Sequence, residues 1–177
     1  MIAKIANDTI VLEKFKHQDA VLIYDAVMAS KKEIAPWLSW LNTNYNLKSA
    51  QSFIAMQLEN WQENIEYAYT IKNKKGELLG VIALHLYDKQ NDVASVGYWM
   101  NTQQTNKGYC TQALKLLVTH MLKPLNLLRI EVIVAVENIA SQKVAEHAGA
   151  QFEARLKNRI RLKGLAVDAH IYAFINE

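Results

Sequence analysis

Between Thr105 and Cys110 the chain reads Thr-Asn-Lys-Gly-Tyr-Cys, residue types that at this spacing suit the capture of an anion. Gly108 lets a ligand approach the backbone closely, and Asn106 is a type that tolerates left-handed geometry. Just downstream, Cys110, Ala113, Leu114, Leu117, Val118, Met121 and Leu122 fall on one apolar stripe, which predicts a helix stopped by Pro124. Just upstream, Val93–Met100 reads as a strand. A strand that feeds a glycine-bearing loop and then a helix leaves the first amides of that helix pointing outward. The helix dipole favours negative charge there by roughly 0.3–1 kcal/mol.

The rest of the chain must hold that loop in place. Residues from about Asp8 to Phe15 alternate as a first strand, and Asp19 is a candidate cap for a helix over Ala20–Ala29. Lys32–Leu41 reads as a short helical or turn segment rich in large apolar side chains, and Asn42–Leu47 as polar loop. Ser49 is a candidate cap for a helix through about Asn64, with Ala50, Phe53, Ile54, Leu58 and Trp61 as its stripe. Glu66–Lys72 and Leu78–Tyr87 read as strands joined by a turn at 73–76. Arg129–Val136 is a buried strand, and Asn138 and Gly149 bracket a helix. Ala150–Leu156 and Ala166–Ile175 read as strands on either side of a basic turn at Arg159–Gly164. This order predicts a single α/β (α+β) domain over residues 1–177. Helices should cover both faces of a mixed, mostly antiparallel sheet of about seven strands.

Composition narrows the function. With 177 residues, 51% hydrophobic and 21% charged, the chain can bury one full core. The net charge of +3 is spread along the chain, with no basic stripe carrying interleaved aromatics, so no nucleic-acid partner is expected. No stretch approaches the ~20 apolar residues of a membrane helix, so no membrane role is expected. The first ten residues lack the apolar core of a signal peptide. A lone cysteine forms no internal disulfide, which makes the cytoplasm the expected compartment. The five histidines show no ligand spacing with that cysteine, so no metal is expected.

Two separated motifs carry a resemblance to the GCN5-related N-acetyltransferase superfamily, and more narrowly to its ribosomal-protein N-terminal acetyltransferase branch. One is Gly97-Tyr-Trp-Met100, six residues, then Lys107-Gly-Tyr-Cys-Thr-Gln-Ala-Leu114. The other is Asn138-x-x-Ser141-x-x-Val144-x-Glu146-x-x-Gly149-x-x-Phe152. Thr105, Asn106 and Cys110 depart from the Gln/Arg, Gly and Gly/Ala usual in the first. The resemblance implies a GNAT-like fold with the fourth and fifth strands splayed, and acetyl-CoA as cosubstrate. Its pyrophosphate would lie on Thr105, Asn106, Lys107, Gly108, Tyr109 and Cys110. Its pantetheine arm would run beside Trp99 and Met100 towards Asn138 and Ser141. Lys107 and Lys143 are candidate phosphate contacts or else solvated charges.

Acetyl transfer needs a neutral amine. A free α-amine with a pKa of about 7.7–8.0 is roughly one-tenth neutral at pH 7, whereas a lysine near 10.4 is almost wholly charged. Residues 94–97 read Ala-Ser-Val-Gly and offer no carboxylate base, which suits an α-amine. The expected acceptor is therefore the amine of a protein N-terminus, with a small-molecule amine as the alternative and a non-catalytic acyl-CoA-binding module as a third. Ser141 is the candidate donor to the departing sulfur, or else only a helix-capping residue. His85 is the candidate base, or else a hydrogen-bonded histidine at a strand end. Asp168 is a candidate holder of the acceptor or a strand-pairing residue, and Trp37 and Trp40 are candidate channel walls or core. Cys110 begins the apolar stripe and is read as packing, not as a nucleophile. Exposed apolar surface around Trp37–Leu41 would give a homodimer its contact.

Overall fold

The strand Leu78–Asp88 is apolar over most of its length because helices cover both its faces. Among the described residues, 2–176, the computed structural model contains eight strands and four α-helices. In chain order these are β1 (Lys4–Ala6), β2 (Ile10–Lys14), α1 (Asp19–Ile34), α2 (Leu47–Gln62), β3 (Glu66–Asn73) and β4 (Leu78–Asp88). There follow β5 (Val93–Met100), α3 (Tyr109–Met121), β6 (Arg129–Ala135), α4 (Ile139–Ala148), β7 (Gln151–Leu162) and β8 (Leu165–Ile175). The sheet order is β1-β2-β3-β4-β5-β6-β8-β7. Every neighbouring pair is antiparallel except β5 and β6.

That exception creates the site. β5 and β6 pair only at Val93–Arg129, Ala94–Ile130 and Ser95–Glu131. Beyond Ser95 each strand stays bonded to its outer neighbour, β5 to β4 as far as Met100 and β6 to β8 as far as Ala135. The sheet therefore splits between β5 and β6, the fourth and fifth strands of the sequence order before β1 is counted, as the resemblance implied.

Two apolar clusters sandwich the sheet. One packs Ala113, Leu114, Leu117 and Met121 of α3 and Ala145 and Ala148 of α4 against residues such as Tyr69, Ile82, Val96 and Val132. On the other face, Ile23, Val27 and Ile34 of α1 and Ile54 of α2 pack on Ala68, Val81, Ala83 and Trp99.

Several boundaries differ from the sequence reading. β1 is an eighth strand, too short at three residues to show a period, with Ile5 its buried residue. α1 runs past Ala29 to Ile34 because Ile23, Val27, Ser30 and Ile34 continue one buried face. Asp19 lies inside its first turn rather than capping it, and Gln18 holds the cap position without a side-chain bond. The Asp19 carboxylate instead accepts from Lys16 N at 2.8 Å and pairs with Lys72 Nζ at 3.1 Å. The cap of α2 is Asn46, three residues before Ser49, and the two form a reciprocal capping box. Residues 159–162 belong to β7, so the turn shrinks to Lys163 and Gly164, both at positive φ.

Candidate active site

The split opens into a cleft of about 750 Å³. Its rim is built by α3, and the loop before α3 is built by α1. Ser30 of α1 is fully buried and its hydroxyl accepts from Thr102 N at 2.9 Å, pinning a short 3-10 turn at 102–104. Asn101 caps that turn by accepting from Gln103 N at 3.1 Å. The chain then reverses through Asn106 and Gly108 at φ 59° and 74°, the left-handed conformations their residue types permit. Gly108 is the N-cap of α3, and no side chain caps the helix. The amides of Tyr109, Cys110 and Thr111 thus open onto the cleft that these residues line. Lys107 does not supply the charge from within the loop, since its Nζ is bonded to Gln103 O at 3.2 Å and Gln104 Oε1 at 2.9 Å.

Across the cleft stands α4. Asn138 caps it by accepting from Ser141 N at 3.2 Å, and Tyr98 Oη on β5 donates to Ser141 O at 2.9 Å. That bond spans the split and fixes the first turn of α4 against β5. Burial holds the Tyr98 hydroxyl well above the ordinary tyrosine range, so it remains a donor. Tyr98 is the cleft-lining residue with this bond across the split that the sequence reading passed over, although it stands inside the Gly-Tyr-Trp-Met motif. Strand alternation places it opposite Trp99, on the α4 side.

Trp99, Met100, Thr105, Asn106, Lys107, Gly108, Tyr109, Cys110, Asn138, Ser141, Lys143 and Trp37 all line this one cleft. Ser141 therefore gives its amide to the Asn138 cap and faces the cleft as well. Cys110 is buried, and burial pushes its thiol up to about 12, so the thiol is inert packing although the helix N-terminus would lower it.

Three candidates lie elsewhere. Trp40 is 43% exposed and stacks on Phe53 at 6.2 Å, outside the cleft. Leu41 is buried and Trp37 partly so, which leaves Trp40 as the exposed large apolar side chain of the 37–41 segment. Asp168 accepts from Arg155 Nη2 at 2.9 Å and from Asn158 N at 3.0 Å, and so pins the irregularity of β7 between Leu156 and Ile160. The Asn158 amide, the Arg155 hydrogen bond and nearby positive charge hold its carboxyl below the usual range. His85 stands on the α1/α2 face of β4 with Nδ1 3.2 Å from Glu66 Oε1. Among the described residues, no group of three or more His, Cys, Asp or Glu side chains is placed to hold a metal, and no helix is long and apolar enough to cross a membrane.

An uncapped helix mouth, a split parallel pair and a cleft joining them match a known domain. The acetyltransferase (GNAT) domain model covers residues 9–151. The chain belongs to the GNAT acetyltransferase family. Among its GNAT relatives, YdaF of Bacillus subtilis (strain 168) is 25% identical over 172 residues, 96% of this chain and 92% of its own. The ribosomal-protein-serine acetyltransferase of Escherichia coli (strain K12) is 32% identical over 102 residues, 58% of this chain and 57% of its own. The microcin C7 self-immunity acetyltransferase MccE, solved with acetyl-CoA and AMP, superposes with a TM-score of 0.90 at 25% identity, over 96% of this chain and 94% of that one.

Proposed function

We propose that this GNAT enzyme transfers an acetyl group from acetyl-CoA to the α-amine of a protein N-terminus, such as that of a ribosomal protein, by direct attack within a ternary complex. The observation that carries this reading is the continuity of the cleft. It runs from the bare amides of Tyr109–Thr111 along the unpaired edge of β5 to Ser141. The residues fit the cosubstrate end to end. The uncapped amides and Gly108 would receive the pyrophosphate, Lys143 stands at the rim as a further cation, and the β5 edge near Trp99 and Met100 would bond the pantetheine amides as an added strand. The Ser141 hydroxyl, on the first turn of α4, would donate to the departing sulfur. A thiol of pKa about 8.5 needs little acid help, so this donor serves mainly to orient. The serine-acetylating E. coli relative supports a protein α-amine as acceptor.

A second reading, acetylation of a small amine, is favoured by the full-length similarity to MccE, whose structure holds AMP. Thiol release from acetyl-CoA separates the two. A peptide with a free N-terminal serine should turn over, and the same peptide N-terminally blocked with an internal lysine should not. Turnover confined to spermidine or an aminonucleoside would establish the small-molecule reading. CoA binding with no turnover of any amine would leave only a binding module.

A further inference from the structure

A polar row crosses the α1/α2 face of the sheet, where its neighbours Ala68, Val81, Ala83 and Trp99 are buried and apolar. Register places Glu66 of β3 opposite His85 of β4, His85 opposite Ser95 of β5, and Ser95 opposite Glu131 of β6. Residues directly opposite share a face, with Cβ atoms about 4.5–5.5 Å apart. The Ser95–Glu131 pair is the last that β5 and β6 make, so the row marks the root of the split.

Among the described residues, Glu66 is the polar partner of the His85 ring. Its Nδ1 lies 3.2 Å from Glu66 Oε1, and Glu66 is 8% exposed. The Glu66 carboxylate also accepts from Asn60 Nδ2 of α2 at 3.5 Å, beside Gln57 of the same helix. Burial pushes its carboxyl up, but the bond and charge of His85, with the Gln57 and Asn60 amides, outweigh that and hold it below its ordinary value. An ionised carboxylate only accepts, so Nδ1 carries the hydrogen and Nε2 keeps its lone pair. Nε2 faces Gly97, two residues beyond Ser95 on β5. A Cβ built on Gly97 would find Nε2 at 3.6 Å and no other non-neighbouring heavy atom within 4 Å. The surrounding charges are accounted for: Glu131 is paired with Arg129 at 3.0 Å, and Ser95, Gln57 and Asn60 are neutral. A half-exposed imidazole with a free ring nitrogen gives a largely buried carboxylate little structural return, since a buried ion carries a desolvation penalty of several kcal/mol. The geometry makes sense as a poised base.

We propose that His85 takes the proton from the acceptor ammonium, that Glu66 positions it, and that the amine approaches from the α1/α2 face over Gly97. This rests on the acetyl-transfer reading. The ammonium gives one proton to Nε2, and the freed lone pair forms the N–C bond to the acetyl carbon. The C–S bond breaks with its electron pair leaving on sulfur, which takes the second nitrogen-bound proton by way of Ser141. The imidazolium then returns its proton to water, so the products are one amide, one thiol and one proton.

The test uses acetyl-CoA with a ten-residue peptide bearing a free N-terminal serine. His85→Gln should lower kcat about 100-fold at pH 7, within the range for a lost general base. KM for acetyl-CoA and the affinity for CoA should hold within about twofold, and the acid limb of the pH profile should flatten. His85→Ala should recover activity with added imidazole. Glu66→Gln should lower kcat about tenfold, and nitrogen NMR of its His85 should lose the Nδ1–H tautomer seen in the wild type. A His85→Gln enzyme with unchanged kcat and pH profile overturns the relay and leaves acetyl transfer standing. A wild type that binds CoA but releases no thiol with any amine overturns the function itself. A wild-type His85 in the Nε2–H tautomer overturns the relay without reference to any substrate.

Discussion

The helices α2 and α3 begin in opposite ways. The first turn of α2 is closed by its own side chains, with Asn46 accepting from Ser49 N and Ser49 accepting from Asn46 N. The first turn of α3 starts at a left-handed glycine with no side chain to close it. A cap is worth about 0.5–2 kcal/mol, and α3 forgoes it. The helix survives because Ala113, Leu114, Leu117 and Met121 are fully buried, so packing sets its stability and its amides stay available. A missing local stabilisation beside strong packing is the mark of a ligand's place. The end of α4 lies between these extremes, since Asn138 closes one amide while Ser141 still faces the cleft.

The contrast can be broken outright at Gly108. A Cβ there meets nothing within 4 Å, and aspartate tolerates the left-handed region better than most types. Gly108→Asp would put a capping carboxylate where the proposed function seats a phosphate. CoA affinity should fall about 100-fold by calorimetry, equivalent to about 2.7 kcal/mol, and the left-handed φ should lower the melting temperature by a few degrees at most. Unchanged affinity would show that these amides are not the phosphate seat. Next comes Gly80, whose added Cβ would stand 2.3 Å from Trp99 O and 2.8 Å from Met100 Sδ. Gly80→Ala should cost about 2 kcal/mol and lower the melting temperature by about 5 °C, because the end of β5 must shift. Tyr98→Phe removes the bond that spans the split. A loss of about 1.5 kcal/mol in thermal unfolding is expected, and no loss would mean that α4 is held by packing alone. Asn46→Ala should cost about 1 kcal/mol while leaving CoA affinity untouched, which separates the capped helix from the bare one. The smallest effect is at Cys110. Folded protein treated with iodoacetamide at pH 8 should show no adduct by mass spectrometry, since burial rather than the helix dipole sets that thiol.

The conformation of the loop before α3 was legible because its signals are local. An asparagine, a glycine and an apolar stripe at helical spacing follow one another without a break between Asn106 and Leu122, and each acts locally. The split was legible only through the two resembling motifs, for nothing in Val93–Met100 or Arg129–Ala135 alone says where their pairing stops. Caps were harder to read. Asp19 and Ser49 are good capping types, yet tertiary contacts gave Asp19 to Lys16 and Lys72, and Asn46 stood three residues earlier with the better geometry. Glu66 could not be seen at all, because its meaning depends on register across β3, β4 and β5 and on α2 above them. The choice between the two roles open to Asp168 depended on register in the same way, its partners Arg155 and Asn158 being set by an irregularity in β7.

The direct test is calorimetric titration of the wild-type chain with CoA. One site per chain with a Kd on the order of micromolar, about −8 kcal/mol, is expected, weakened about 100-fold in Gly108→Asp and unchanged in Asn46→Ala. Absence of heat up to millimolar CoA, or equal weakening in the two variants, would contradict a cosubstrate seated on the open end of α3.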